Sequence, residues 1–230
     1  MFPIYYINLQ SEKKRNEFMK KQFDFYSLQS TRIEAYHKNI PYIQYLVKRY
    51  KIHNPNELCC FVSHIKAIHE AYKNNDPYCI VMEDNIELEH FVKNSNMLQY
   101  FTRYTNIWEC INLLPTGPNT ILQDNIKNYK KKNLCTPYKK VCYGTKVLLY
   151  NRKGIEKLVK MFPRIEKSIQ GNYKTKLVAD NFIFSYCKTY ISTFPFGNIS
   201  LLFDTSIHKN SKIEHRKYTK HLIHSMFHST

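Results

Sequence analysis

Glu83, Asp84 and Asn85 stand side by side at the end of an apolar run, in the stretch PYCIVMEDNIE (residues 77–87). Ile80, Val81 and Met82 suit an inner strand, so the acids sit where that strand emerges. Ligands of open α/β sheets gather at the carboxyl ends of strands. Acid pairs there hold divalent cations, because hard cations want oxygen ligands; an acidic turn is the alternative reading. A further carboxylate, Asp180, leads the apolar residues of VADNFIF (178–184) at an expected helix start. The helix dipole would keep it ionised there, and an ordinary N-cap is its alternative role. Ser63 and His64 fall inside an amphipathic run, where a His is more often structural than catalytic. Gly144 and Thr145 precede a strand, where a glycine lets the backbone approach a ligand closely.

The elements that must position these groups follow from pattern. Residues 4–9 form an apolar run of strand length, Ser11 can cap a helix entered through Glu12, and a short strand is expected over 31–35. From Asn56, read as an N-cap, the residues Leu58, Phe61, Val62, Ile65, Ile68 and Tyr72 repeat at helical spacing. That helix stops in Asn74-Asn75-Asp76-Pro77 and feeds the strand ending at Glu83, half of a βαβ unit. A strand is expected over 107–114, an irregular connection over 115–140, and a strand over 145–150. Asn151 then caps a helix that Pro163 ends; a helix begins near Asp180, and TYISTFPF returns as a strand. Residues 1–206 read as one domain and 207–230 as a basic, His-rich tail or peripheral helix.

Composition narrows the function classes. The net charge is +17, from 35 Lys and Arg against 18 Asp and Glu, which favours an anionic partner. The Lys, Asn, Ile and Tyr content is also what an AT-rich genome, viral or bacterial, would write. Neither GxGxxG nor GxxxxGK[ST] is present, which argues against a dinucleotide fold and a P-loop. The seven Cys form no CxxC, so neither a zinc site nor a disulfide framework is expected. No apolar run approaches a membrane span, and the expectation is a soluble, cytoplasmic protein with reduced thiols.

Several segments stand in a telling order: YYINLQSEKKR, RIEA, CCFVSHIKAIHEAYKNNDPYCIVMEDNIEL, GTKVLLYNRKGIEKLV and VADNFIF. In that order, over about residues 3–206, they resemble glycosyltransferase family 25, which includes lipooligosaccharide and collagen galactosyltransferases. The resemblance implies an α/β, GT-A-like nucleotide-sugar-binding fold with a mixed, mostly parallel central sheet flanked by helices. It also implies a UDP-sugar donor (galactose or glucose), a glycan or protein acceptor, inversion at the anomeric carbon, and Mn²⁺ or Mg²⁺. The family's usual Glu-Asp-Asp is here Glu83-Asp84-Asn85, and Asn brings a carbonyl oxygen but no charge.

On this resemblance Glu83, Asp84 and Asn85 are the metal ligands, with a late His, His208, as an outlying one. Asn8, Leu9 and Arg15 occupy the donor-binding positions past the first strand; Ser63, His64, Gly144 and Thr145 complete the substrate side. Asp180 is the expected base, with Asp204 as the fallback. Asp84→Ala is expected to abolish transfer, while an exposed strand end spares the fold. The rival functions are a basic nucleic-acid-binding protein and an inactive glycosyltransferase-like scaffold. Against the first, the aromatics lie mostly in strand-like or helical apolar runs, and no nucleic acid partner is expected.

Overall fold

The computed structural model describes residues 2–103, 106–115, 119–139, 143–161, 178–200, 202–203 and 217. Strand β1 (Ile4–Asn8) is buried along its whole length, as a run of Ile and Tyr flanked by two other strands must be. Helix α1 (Lys13–Phe25) carries the chain back so that β2 (Ser30–Glu34) pairs parallel with β1. Helices α2 (Pro41–Tyr50) and α3 (Pro55–Lys73) then lead to β3 (Tyr78–Glu83), which pairs parallel with the other side of β1.

A short β4 (Ile86–Glu87) and helices α4 (Glu89–Lys93) and α5 (Ser95–Thr102) precede β5 (Cys110–Asn112). Helix α6 (Asn119–Lys130) and strand β6 (Cys135–Pro137) occupy the stretch expected to be irregular. Strand β7 (Val147–Asn151), α7 (Arg152–Met161), α8 (Ala179–Tyr186), β8 (Thr189–Ser192) and β9 (Asn198–Ile199) complete the described elements.

Among the described residues the main sheet has seven strands in the order β2-β1-β3-β7-β5-β8-β6. Strands β2, β1, β3, β5 and β8 point one way, and β7 and β6 run against them. The fold is therefore α/β with a mixed, mostly parallel sheet flanked by helices; β4 and β9 form a separate antiparallel pair.

Alternation along the strands divides the core in two. Tyr5, Ile7, Val81, Leu148 and Tyr150 pack with α3, α7 and α8 on one face. Ile4, Tyr6, Ile80, Met82, Val147 and Leu149 pack with Met19 and Phe23 of α1 and Leu98 and Phe101 of α5 on the other. Gly154 explains the glycine of GIEKL: a Cβ there would lie 2.2 Å from the Glu109 carbonyl oxygen, so only glycine lets α7 sit this close to β5.

Several expectations are corrected. Helix α1 begins after Glu12 with no side-chain cap, so Ser11 does not serve as one. Asn54, not Asn56, caps α3: its Oδ1 accepts from the Asn56 N–H at 3.2 Å, and Pro55 opens the helix where no N–H is needed. Strand β5 is shorter than residues 107–114, because the Asn112 side chain turns back to accept from the Leu114 N–H at 3.1 Å. Asn151 does cap α7, accepting from the Gly154 N–H at 2.9 Å. Pro163, His208, Asp204 and, apart from residue 217, the proposed tail lie outside the described residues.

Candidate active site

The carboxyl ends of β1 and β3 meet the start of β7 at one edge of the sheet. Because β7 runs antiparallel to β3, its first residue lies beside the last of β3: Met82 pairs with Val147, and the Glu83 N–H donates to the Lys146 carbonyl at 3.0 Å. The loop before β7 thereby places Gly144, Thr145 and Lys146 against the Glu-Asp-Asn run.

Glu83 continues the Val81 face and points toward α3. Its carboxylate pairs with the Lys146 ammonium and accepts from the Thr145 hydroxyl at 3.4 Å. Burial alone would raise the Glu83 carboxyl, but the charge and hydrogen bond of Lys146, with the further charges of His64 and Arg15, together outweigh it and hold the group below the usual range. Burial would likewise lower Lys146, and Glu83 holds it above the usual amine range. Both stay charged.

Asp84 continues the opposite, Met82 face. It accepts from Asn8 Nδ2 at 2.7 Å and pairs with Arg15 at 3.1 Å. Burial raises the Asp84 carboxyl, and Arg15 and Asn8 only partly offset it. Arg32 Nε donates to Asn8 Oδ1 at 2.9 Å, so the Asn8 amide is held by a cation on its oxygen and a carboxylate on its nitrogen. At only 6% exposure, Asp84 is not at an exposed strand end, which corrects the expectation drawn from sequence.

Asn85 is 2% exposed, and its Oδ1 is sealed from solvent with no hydrogen-bond donor. Its backbone carbonyl accepts from the Ser200 N–H at 2.8 Å. The three residues thus do not offer one shared set of hard oxygen ligands. Two carboxylates leave the strand on opposite faces, each against its own cation, and the third oxygen is enclosed. The Mn²⁺ or Mg²⁺ site implied by the resemblance does not fit this arrangement.

Asp180 lies in the first turn of α8 and is buried; the N-cap position belongs to Val178. Its Oδ1 accepts from the Asn181 N–H at 2.8 Å and its Oδ2 from the Gly144 N–H at 3.2 Å. Gly144 has φ 95°, a conformation that favours glycine, and Asn112 Nδ2 holds its carbonyl at 2.8 Å. Asp180 is therefore tied to the loop that delivers Thr145 and Lys146. Asp180 and Glu83 both act on the Cys60 thiol, adding to the burial that pushes it well up.

Among the other expected site residues, Leu9 is partly exposed and its carbonyl accepts from the Glu12 N–H at 3.0 Å. The Ser63 hydroxyl donates to the Cys59 carbonyl at 2.6 Å and accepts from the Tyr36 N–H at 2.8 Å, so it fastens the segment after β2 to α3. His64 is 0% exposed, and neither ring nitrogen has a hydrogen-bond partner. Burial pushes its imidazole down to about 4 from 6.5.

That shift has a sign. The unfolded chain takes up this proton first, so stability is present above pH ~6.5 and is lost as the pH falls toward ~4, by about 3 kcal/mol. Thermal unfolding followed from pH 7 downward should show this loss, and His64→Gln should flatten it. An unchanged profile in the variant would place the pH dependence elsewhere.

Lys146, Cys60, Arg32 and Asn112 were not singled out from sequence. Lys146 stands one residue past the flagged Thr145 but is hidden among 35 Lys and Arg. Cys60 and His64 are spaced i and i+4 on a helix, a legible pairing that a search for CxxC passes over.

The sequence pattern of glycosyltransferase family 25 (LPS biosynthesis protein) matches residues 1–172. None of the curated proteins is similar to the chain at a significant level. A solved structure, described as a glycosyltransferase involved in the glycosylation of the major capsid of PBCV-1, aligns at 6% identity and a TM-score of 0.38. It covers 96% of this chain and 98% of that one. With three quarters of its length matched by the family pattern, the chain belongs to glycosyltransferase family 25 and is a transferase that moves a sugar from a donor to an acceptor.

Proposed function

We propose that this chain transfers a hexose, galactose or glucose, from a UDP-sugar to a hydroxyl of a glycan or protein acceptor, with inversion. The observation that carries the reading is the meeting of Asp180, the 143–146 loop and the β3 end at one sheet edge. The acceptor hydroxyl loses its proton to the Asp180 carboxylate as its oxygen attacks the anomeric carbon. The bond to the diphosphate breaks on the opposite face, and UDP leaves with the electron pair. Lys146 and Arg15 are the cations paired with Glu83 and Asp84 at the β3 end and offset the charge that develops on the leaving group. Each carboxylate oxygen of Asp180 accepts one backbone N–H and retains a further lone pair for the proton.

A hard divalent cation belongs to the reading only through family membership, and no step here depends on one. Among the described residues no helix is long and apolar enough to cross a membrane, and the described cysteines are free thiols. A cytoplasmic setting is consistent with both and forms part of the proposal. Asn85 keeps a second reading in view, an inactive scaffold that retains the fold without donor binding.

Thermal unfolding with nucleotides separates these readings, because a ligand of the native state must raise its stability, by about 2.7 kcal/mol at a hundredfold excess over Kd. UDP-galactose or UDP-glucose should shift the transition more than ADP or GDP does. Equal shifts with all of them would mean attraction to the basic surface alone, and no shift with any would favour the scaffold.

A further inference from the structure

We propose that Cys60, His64 and Glu83 form a binding site for a borderline transition-metal ion of the zinc type, which shares only Glu83 with the hard-cation site expected at residues 83–85. Cys60 and His64 stand one helical turn apart on α3, which packs over the sheet face that Val81 and Glu83 share. One ligand atom from each of Cys60, His64 and Glu83 lies within 4.8 Å of the others. Among the described residues this is the one trio of His, Cys, Asp or Glu groups that meets this condition.

The His64 ring gives the independent reason. A side chain at 0% exposure with two unpartnered nitrogens is rare, because a buried polar group without a partner is costly. Ligation would engage one of those nitrogens.

The donor set chooses the ion class. Sulfur, imidazole nitrogen and a carboxylate oxygen together suit Zn²⁺ and Co²⁺ and disfavour Mg²⁺, which wants oxygen and its own waters. Three protein ligands leave a fourth position open. Binding exchanges the thiol proton of Cys60 for the metal–sulfur bond, the proton passing to solvent. A dication with one thiolate and one carboxylate forms a neutral unit. The Thr145 hydroxyl donates to Glu83 Oε1 at 3.4 Å, which places a second-sphere donor on one of the ligands. Cys60 and Glu83 are only partly buried, which leaves an entry path.

Co²⁺ titration of the full chain reads the site without any appeal to activity. About one Co²⁺ per chain should give a sulfur-to-cobalt charge-transfer band, and Zn²⁺ should remove it. The tail contains five His but no Cys, so ions bound there carry no such band. Cys60→Ser should abolish the band. His64→Gln should weaken binding by at least about tenfold, since loss of an outer partner alone costs about 10–100-fold. Glu83→Gln serves where His64→Gln does not hold the fold. A titration without the band, a band that survives in Cys60→Ser, or affinity unchanged in both His64→Gln and Glu83→Gln would overturn the site.

Discussion

Asp180→Asn should turn over sugar about 10²-fold or more slowly than the parent chain while still binding the donor. The substitution keeps the shape of the side chain and removes its basicity. The geometry adds a condition that the sequence alone does not show. Both oxygens of Asp180 accept backbone N–H groups, from Asn181 and from Gly144. An amide can present its oxygen to only one of them and faces the other with its own N–H groups. A loss of about 1 kcal/mol of stability should therefore accompany the kinetic effect. Turnover, UDP affinity and thermal unfolding measured on one preparation separate the two contributions. A rate fallen as stated with UDP affinity intact assigns the proton transfer to Asp180. A near-parental rate in Asp180→Asn with a collapse in Asp204→Asn would move the base to Asp204, and activity in both would move it elsewhere.

Asp84→Ala has the larger effect on the fold. Asp84 and Arg15 side chains retain 9% and 13% exposure, so removing the carboxylate leaves the guanidinium, in a mostly dry place, with Glu12 at 3.5 Å as its carboxylate partner. Asn8 Nδ2 loses one of two acceptors and keeps the Glu12 carbonyl at 3.2 Å. Breaking such a pair costs about 3 kcal/mol, against a total stability on the order of 5–15 kcal/mol. Urea unfolding should show a clearly lowered midpoint. The double variant Arg15→Met with Asp84→Ala should recover part of it, because an apolar pair needs no counter-charge. A wild-type midpoint for Asp84→Ala would mean that the carboxylate does not tie β3 to the β1–α1 corner. Transfer should also be lost, since Arg15 then keeps only its Glu12 pairing and is no longer held to the β3 end.

The framework of this fold was legible where burial wrote a strong pattern. Ile4–Asn8, the helix through Phe61 and Ile65, and the run into Glu83 were each expected close to where they lie. Helix α2 was missed, although Ile43, Leu46 and Tyr50 repeat on one side, because Tyr and Lys fill its outer face and blur the contrast. Helix α6 and strand β6 were missed because Asn, Lys and Pro dominate their local composition. Of the site, the strand-end acids and Asp180 were visible as carboxylates beside apolar runs. Their partners were not, because Lys146 meets Glu83 only through the antiparallel register of β7, which no local pattern encodes.

The direction of β7 has a consequence for how the sheet is assembled. β2, β1 and β3 are complete once residue 83 has been made, whereas β5, β8 and β6 come from later parts of the chain. Among the described residues the two groups share no strand-to-strand ladder of their own; both lean on Val147–Asn151. Until that segment emerges from synthesis, β3 offers an unsatisfied edge of apolar Ile80, Val81 and Met82, the kind of edge that recruits other chains. The strand that joins the two halves of the sheet is also the one that closes this window of vulnerability. Fragments ending before Val147 should therefore aggregate, whereas chains that include it should not.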